Sequence, residues 1–157
     1  MVDRLSALEL KVPPVVLVAA FALAMWGAAQ AWPVFTAPWP GSSIVAAVLY
    51  LAGGAVGLAG VLAFRASRTT FNPMRPAGAT SIVRSGVYRV TRNPMYLGAA
   101  LGLTGWAAHL SNVAALALLP VFVAYMTRFQ IKPEERALLE KFGRPFAEYM
   151  AGVRRWI

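Results

Sequence analysis

Cysteine is absent from this chain, and histidine occurs once. The first absence excludes disulfides, thiol chemistry and cysteine-based metal sites. The second means that His109 cannot build a zinc centre on its own. Charge is scarce as well. Asp, Glu, Lys and Arg make up 13% of the residues, where a soluble domain carries about 25%. Hydrophobic residues make up 59%, and the mean hydropathy is +0.59. This deficit points to a membrane protein. The 157 residues suffice for one domain.

The charge that is present is segregated. Residues 12–64 and 93–127 contain no Asp, Glu, Lys or Arg. Residues 65–92 hold six arginines and no acid, and residues 128–157 hold seven basic and four acidic residues. Near the start, Asp3, Arg4, Glu9 and Lys11 cancel. A net charge of +9 would also suit a nucleic-acid binder. Two long uncharged tracts between the basic patches exclude that reading, because the patches are placed as membrane flanks. Neither a nucleic acid nor a metal is expected as a partner.

A helix crosses a bilayer with roughly 20 apolar residues, and about 17 is the lower limit. The first tract is long enough for two crossings. Val15–Trp32 follows Pro13 and Pro14, which suit a helix start. "PVFTAPWPG" (residues 33–41) then breaks the run, and residues 42–64 cross again, with Ser42 or Ser43 as N-cap. Trp32, Trp39 and Tyr50 fit an interfacial aromatic belt. The first run also imitates a cleavable signal peptide, with Arg4 and Lys11 before it and "AQA" at its end. The second span that follows at once, and the paired prolines, favour a retained helix. The second tract reads as a helical hairpin: Pro94–Leu110, a turn at Ser111–Asn112, and Val113–Phe129 with a kink at Pro120. Small residues recur at helical spacing (Gly53, Gly57 and Gly60; Ala99, Gly102 and Gly105), as close helix packing in lipid requires.

The expected fold is therefore all-α and integral to the membrane, with about four transmembrane helices. Residues 1–64 form two N-terminal spans, 65–93 a cytoplasmic loop, 94–129 a hairpin, and 130–157 cytoplasmic C-terminal helices. The arginine excess places both termini in the cytoplasm. The loop is too long for a turn. It retains Phe71, Ile82, Val83, Val87, Tyr88 and Val90, so it should pack, although its arginines would also suit an anionic lipid surface. In the tail, Leu138, Phe142, Phe146 and Tyr149 make one apolar face, and Arg154, Arg155 and Trp156 suit the membrane interface.

The stretch "TRNPMYLG" (Thr91–Gly98) enters the hairpin. Pro94 takes the first helical position and Asn93 the N-cap. Unpaired N–H groups at such a start attract anions, and Arg92 adds a full charge. The hairpin returns Glu134 and Glu135 to the same face, where they prefer cations or hydroxyls. A zwitterionic ligand would match both. The competing structural reading has the two acids capping a helix that starts at Pro133.

"SIVRSGVYRVTRNPMYLG", a span pair, and "KPEERALLEKFG…EYMAGVRRW" together resemble the isoprenylcysteine carboxyl methyltransferase family and its phospholipid methyltransferase relatives. The resemblance covers about residues 70–157 in one order and spacing. The family pattern is Gly-x-Tyr-x-x-x-Arg-His-Pro-x-Tyr, followed after a hairpin by Glu-Glu and Phe-Gly. The resemblance implies a membrane methyltransferase whose cofactor is S-adenosylmethionine, held by the loop and the C-terminal tail. It implies that Thr80, Ser81, Ile82, Val83 and Tyr88 line the adenosine side. Arg92, Asn93, Pro94, Met95 and Tyr96 form the helix-entry contact, and Glu134 and Glu135 contribute from the tail. Arg128, Gln130 and Tyr149 fall on the side of the substrate, a lipophilic methyl acceptor drawn from the membrane lipids.

Two departures matter. The usual histidine before the proline is Asn93, which cannot titrate near neutral pH, so no general base is available there. Gln130 stands where relatives acting on prenylcysteine carboxylates place an arginine, and it lacks the charged fork that grips a carboxylate. An amine such as phosphatidylethanolamine fits better. Membrane sterol reductases, which use NADPH and share a similar C-terminal half, are one alternative. A non-catalytic lipid-binding protein is another.

Overall fold

The computed structural model describes residues 8–67 and 76–157. Phe71 and Pro73 of the long loop, and Asp3 and Arg4, lie outside the described residues. The protein is a helical membrane protein built on four long helices. Helix α1 spans Pro14–Ala31, α2 Ser42–Ala66 and α3 Pro94–Leu110. Helix α4 runs Val113–Phe142, and a short α5 follows at Arg144–Gly152. Among the described residues, α1, α2 and α4 are long and apolar enough to cross a membrane. Helix α3, with 17 residues, sits at the lower limit for a crossing.

Helices α2 and α3 are pressed together along a glycine seam. A Cβ at Gly53 would lie 2.6 Å from the Gly98 carbonyl oxygen, and one at Gly98 would lie 2.6 Å from that of Gly53. Farther along, Gly60 faces the Pro94 ring and Gly105 faces Tyr50. The α3 side of the seam therefore runs through Gly98 and Gly105, with Gly98 in place of Ala99. This contact sets the last turns of α2 beside the first turn of α3, where Phe64 meets Tyr88 edge-on at 5.3 Å. Helix α1 closes the other side. Phe21 packs edge-to-face on the fully buried Phe122, and the Trp106 indole donates to the Ala22 carbonyl at 2.9 Å.

At the end of the bundle away from the long loop, Asn112 ties two turns together. Its Oδ1 accepts from the Ala115 N–H and caps α4, while its Nδ2 donates to the Trp32 carbonyl and the Thr36 hydroxyl. The expected cap at Ser42 or Ser43 is not formed. Gly41, at φ 91°, takes the cap position, a backbone shape that glycine tolerates best, and Ser42 is the first helical residue.

Helix α4 joins what the sequence divides into a hairpin arm and a tail. It is interrupted at Ala117, beside Leu116, whose carbonyl Pro120 cannot serve. It then passes through a π-helical turn at Thr127–Ile131. Pro133 explains that turn. It has no N–H to give the Phe129 carbonyl one turn back. That carbonyl instead accepts from the Leu10 N–H at 3.0 Å. Around the same turn, Gln130 donates to the Val12 carbonyl at 2.6 Å, and Glu9 accepts from Arg128 and Arg136. Because α4 is already helical before Pro133, no helix begins there for Glu134 and Glu135 to cap.

Candidate cofactor site

A cavity of about 820 Å³, counted with its open mouth, lies where the long loop, the α2 and α3 ends, α4 and α5 meet. The loop supplies Ser81, Ile82, Val83 and Tyr88; the α3 entry supplies Arg92, Asn93, Met95 and Tyr96; and α4 supplies Glu134 and Glu135. Tyr149, assigned by sequence to the substrate, shares the wall with these residues. Phe64, Pro76, Ala79, Leu138 and Phe146 also line it. Leu138 and Phe146 were legible as part of an apolar face on the tail. Phe64 ends a membrane span, and its placement depends on the α2–α3 seam.

Four expected residues sit elsewhere. Thr80 is exposed beside the cavity wall, and Pro94 is buried against Gly60. Arg128 pairs with Glu9, and the buried Gln130 turns toward Val12. The π turn directs these last two at the N-terminal segment. Arg155 and Trp156, expected to suit the membrane interface, make contacts within the protein: Arg155 binds Glu135, and the Trp156 indole donates to the Thr127 hydroxyl at 3.0 Å.

The three charged groups of the wall are treated differently. Arg92 gives its Nη2 to Glu135 at 2.7 Å, and its Nη1 donates to the Met150 carbonyl at 2.8 Å and to that of Val153. It is a structural tie, not a free anion receptor. Glu135 takes a second guanidinium, from Arg155, at 2.6 Å. Glu134, equally buried, accepts from the Tyr96 hydroxyl, which is neutral. Among the described residues it forms no ion pair. Burial pushes this carboxyl toward its neutral form, and a positive ligand beside it would favour the charged one.

Asn93 does hold the N-cap position, with Pro94 behind it, but its side chain caps nothing. Its Nδ2 donates to the Arg155 carbonyl at 2.9 Å, which leaves the first N–H groups of α3 without a capping side chain. The two tyrosines of the roof stay neutral. Burial pushes the Tyr149 phenol up to about 12, against the pull of Arg92 and Arg84. Burial, with Tyr149 and Glu134 nearby, also raises that of Tyr88. Tyr149 therefore keeps its proton and donates to the Tyr88 carbonyl at 2.8 Å, fastening α5 over the loop.

The cavity is formed largely by the segments that carry the sequence resemblance. Residues 42–145 match the family described as phospholipid methyltransferase. The chain belongs to the phospholipid methyltransferase family. An uncharacterized protein of Haemophilus influenzae is 38% identical over 63 residues, which are 40% of this chain and the whole of that protein. No solved structure matches. The family places methyl transfer at a membrane, and the match takes in α2, α3, α4 and the start of α5. The cavity walls of this phospholipid methyltransferase family member thus fall almost wholly within the matched region, apart from Phe146 and Tyr149.

Proposed function

We propose that this protein methylates a lipid amine, with S-adenosylmethionine bound in the cavity described above. The observation that carries the reading is the buried Glu134 carboxyl, held by Tyr96 on a wall of that cavity and, among the described residues, in no ion pair. When bound, the cofactor supplies a methyl group on a positively charged sulfur, together with an amino acid moiety and an adenosine.

The residues present fit that group. Glu134 offers a negative partner to a cation. The open N-terminus of α3 offers N–H donors and a partial positive charge to a carboxylate. Phe64, Tyr88 and Phe146 offer aromatic and apolar walls to a flat base. Asn93 can donate and accept but moves no proton. The chain's contribution is to hold the reactants in line and to exclude water.

An amine acceptor is supported over a carboxylate. Among the described residues, Arg92 is the one arginine on the wall, and its nitrogens are committed within the protein. Arg128 and Gln130 face the N-terminal segment. The topology that goes with this reading puts four crossings in the membrane and the cavity on the cytoplasmic side, where the arginines lie.

Calorimetric titration tests the cofactor. S-adenosylmethionine is expected to bind, NADPH is not, and Glu134→Gln is expected to weaken binding about tenfold, as loss of a charged contact does. Undiminished binding by that variant would remove the site assignment. Transfer of labelled methyl into a total lipid extract, with products identified by mass, names the acceptor. Label found on prenylcysteine carboxylates and absent from lipid amines would overturn the substrate class.

A further inference from the structure

We infer that Arg155 is a positioning residue, which acts through Glu135 and its own backbone to set Asn93 at the cavity wall. The inference rests on the cofactor reading above for its binding readout.

The C-terminal segment runs alongside the entry to α3. The Arg92 N–H donates to the Arg154 carbonyl at 3.0 Å. The next carbonyl, that of Arg155, accepts from two side chains at once: the Asn93 amide at 2.9 Å and the Thr91 hydroxyl at 3.3 Å. Thr91 also accepts from the Asn93 N–H at 3.1 Å. Asn93 is therefore held by a carbonyl of the chain's end, not by the helix it caps. Its Nδ2 is committed there, so its Oδ1 is the group left to meet a ligand.

What holds that carbonyl in place is the Arg155 side chain. Its Nη2 and Nε reach the two oxygens of Glu135 at 2.6 and 3.1 Å. Glu135 belongs to α4, and its Oε1 also accepts from Arg92 of the α3 entry. One carboxylate thus locks three elements: α4, the α3 entry and the C-terminal segment. The two-pronged geometry requires a planar fork, which arginine has and lysine lacks. Without the fork, Oε2 of Glu135 loses its partner, and residues 153–157 keep backbone contacts and the Trp156 indole bond.

Arg155→Met and Arg155→Lys test this. Methionine keeps bulk without donors, and lysine keeps charge without the fork. The dissociation constant for S-adenosylmethionine is expected to rise in the order wild type, lysine, methionine, with about tenfold at the end of the series. The methyl-transfer rate at saturating cofactor should stay within about twofold of wild type, because Asn93 acts on the hold of the cofactor and not on the approach of the methyl acceptor. Amide hydrogen exchange of residues 150–157, measured without cofactor, should quicken in the same order. Should the methionine variant fail to fold, the lysine variant decides alone: unchanged cofactor affinity overturns the inference, and a loss with an unchanged melting temperature upholds it. Equal affinity across the series, or a fall in rate that matches the fall in affinity, also overturns it. A wild-type protein that binds no S-adenosylmethionine overturns the cofactor reading instead; the exchange then decides the anchoring, and unquickened exchange in the methionine variant refutes it.

Discussion

Single residues control this site through what they lack. Gly98 lacks the Cβ that would strike the Gly53 carbonyl, so Gly98→Ala forces two helices apart. Overpacking of this kind costs about 1–3 kcal/mol. Thermal unfolding in detergent micelles should show the loss, whereas Gly102→Ala, with open space around its Cβ, should be near neutral. Glu134 forms no ion pair among the described residues. Tyr96→Phe would leave this buried carboxylate without its hydroxyl donor, at about 1–3 kcal/mol. The melting temperature should fall in the free protein and recover disproportionately with S-adenosylmethionine, whose positive charge takes over the vacant role. A loss that the cofactor does not offset would mean that Glu134 faces no ligand. Asn93 lacks a titratable proton, and this was readable from the sequence alone. That its amide is turned toward the Arg155 carbonyl was not, because the partner lies 62 residues away.

At the scale of elements, the π turn of α4 is the decisive departure from the expected helix. Pro133→Ala would restore an N–H to the Phe129 carbonyl and compete with Leu10 for it. The variant should regularise α4, release residues 8–12 to faster hydrogen exchange, and weaken cofactor binding by rotating Glu134. Unaltered exchange in that segment would show that the proline does not set the turn. The same segment carries a pH dependence. Glu9 has an ordinary value of 4.5, and the hydrogen bond from Arg128, with the charges of Arg128 and Arg136, holds it lower against burial. A lowered folded value means that the contribution is present above 4.5 and is lost as pH falls through the folded value. Protection of residues 8–12 should be flat from neutral pH to about 5 and decline below about 4.5. Glu9→Gln should abolish that decline.

At the largest scale, three helices among the described residues meet the length and hydropathy of a crossing, and α3 is held beside α2 by its glycine seam. The proposed topology puts both ends of the chain on one side. Cysteines introduced singly at the exposed Lys11 and Ile157, in a chain with none of its own, should react with a membrane-impermeant reagent from the same side. A cysteine at the exposed Val34 should react from the opposite side. Labelling of Lys11 and Ile157 positions from opposite sides would give an odd number of crossings and displace the fourth span.

The helices and their order were legible in the amino-acid sequence, because lipid demands long uncharged runs and because Pro94 fixes where α3 starts, whereas most of the cavity wall was implied by the family resemblance. The pairing of Glu134 and Asn93 to one face followed from the hairpin length. Tertiary structure alone decided which charged groups are spent. Arg92 and Glu135 have the same local setting in the sequence as free ligand contacts, but the C-terminal segment folds back and consumes them. Gln130 and Arg128 are turned away by a π turn whose missing hydrogen bond is supplied from Leu10. Such partners lie far along the chain, and ion pairs and freed carbonyls choose among distant candidates by geometry, which local pattern does not carry.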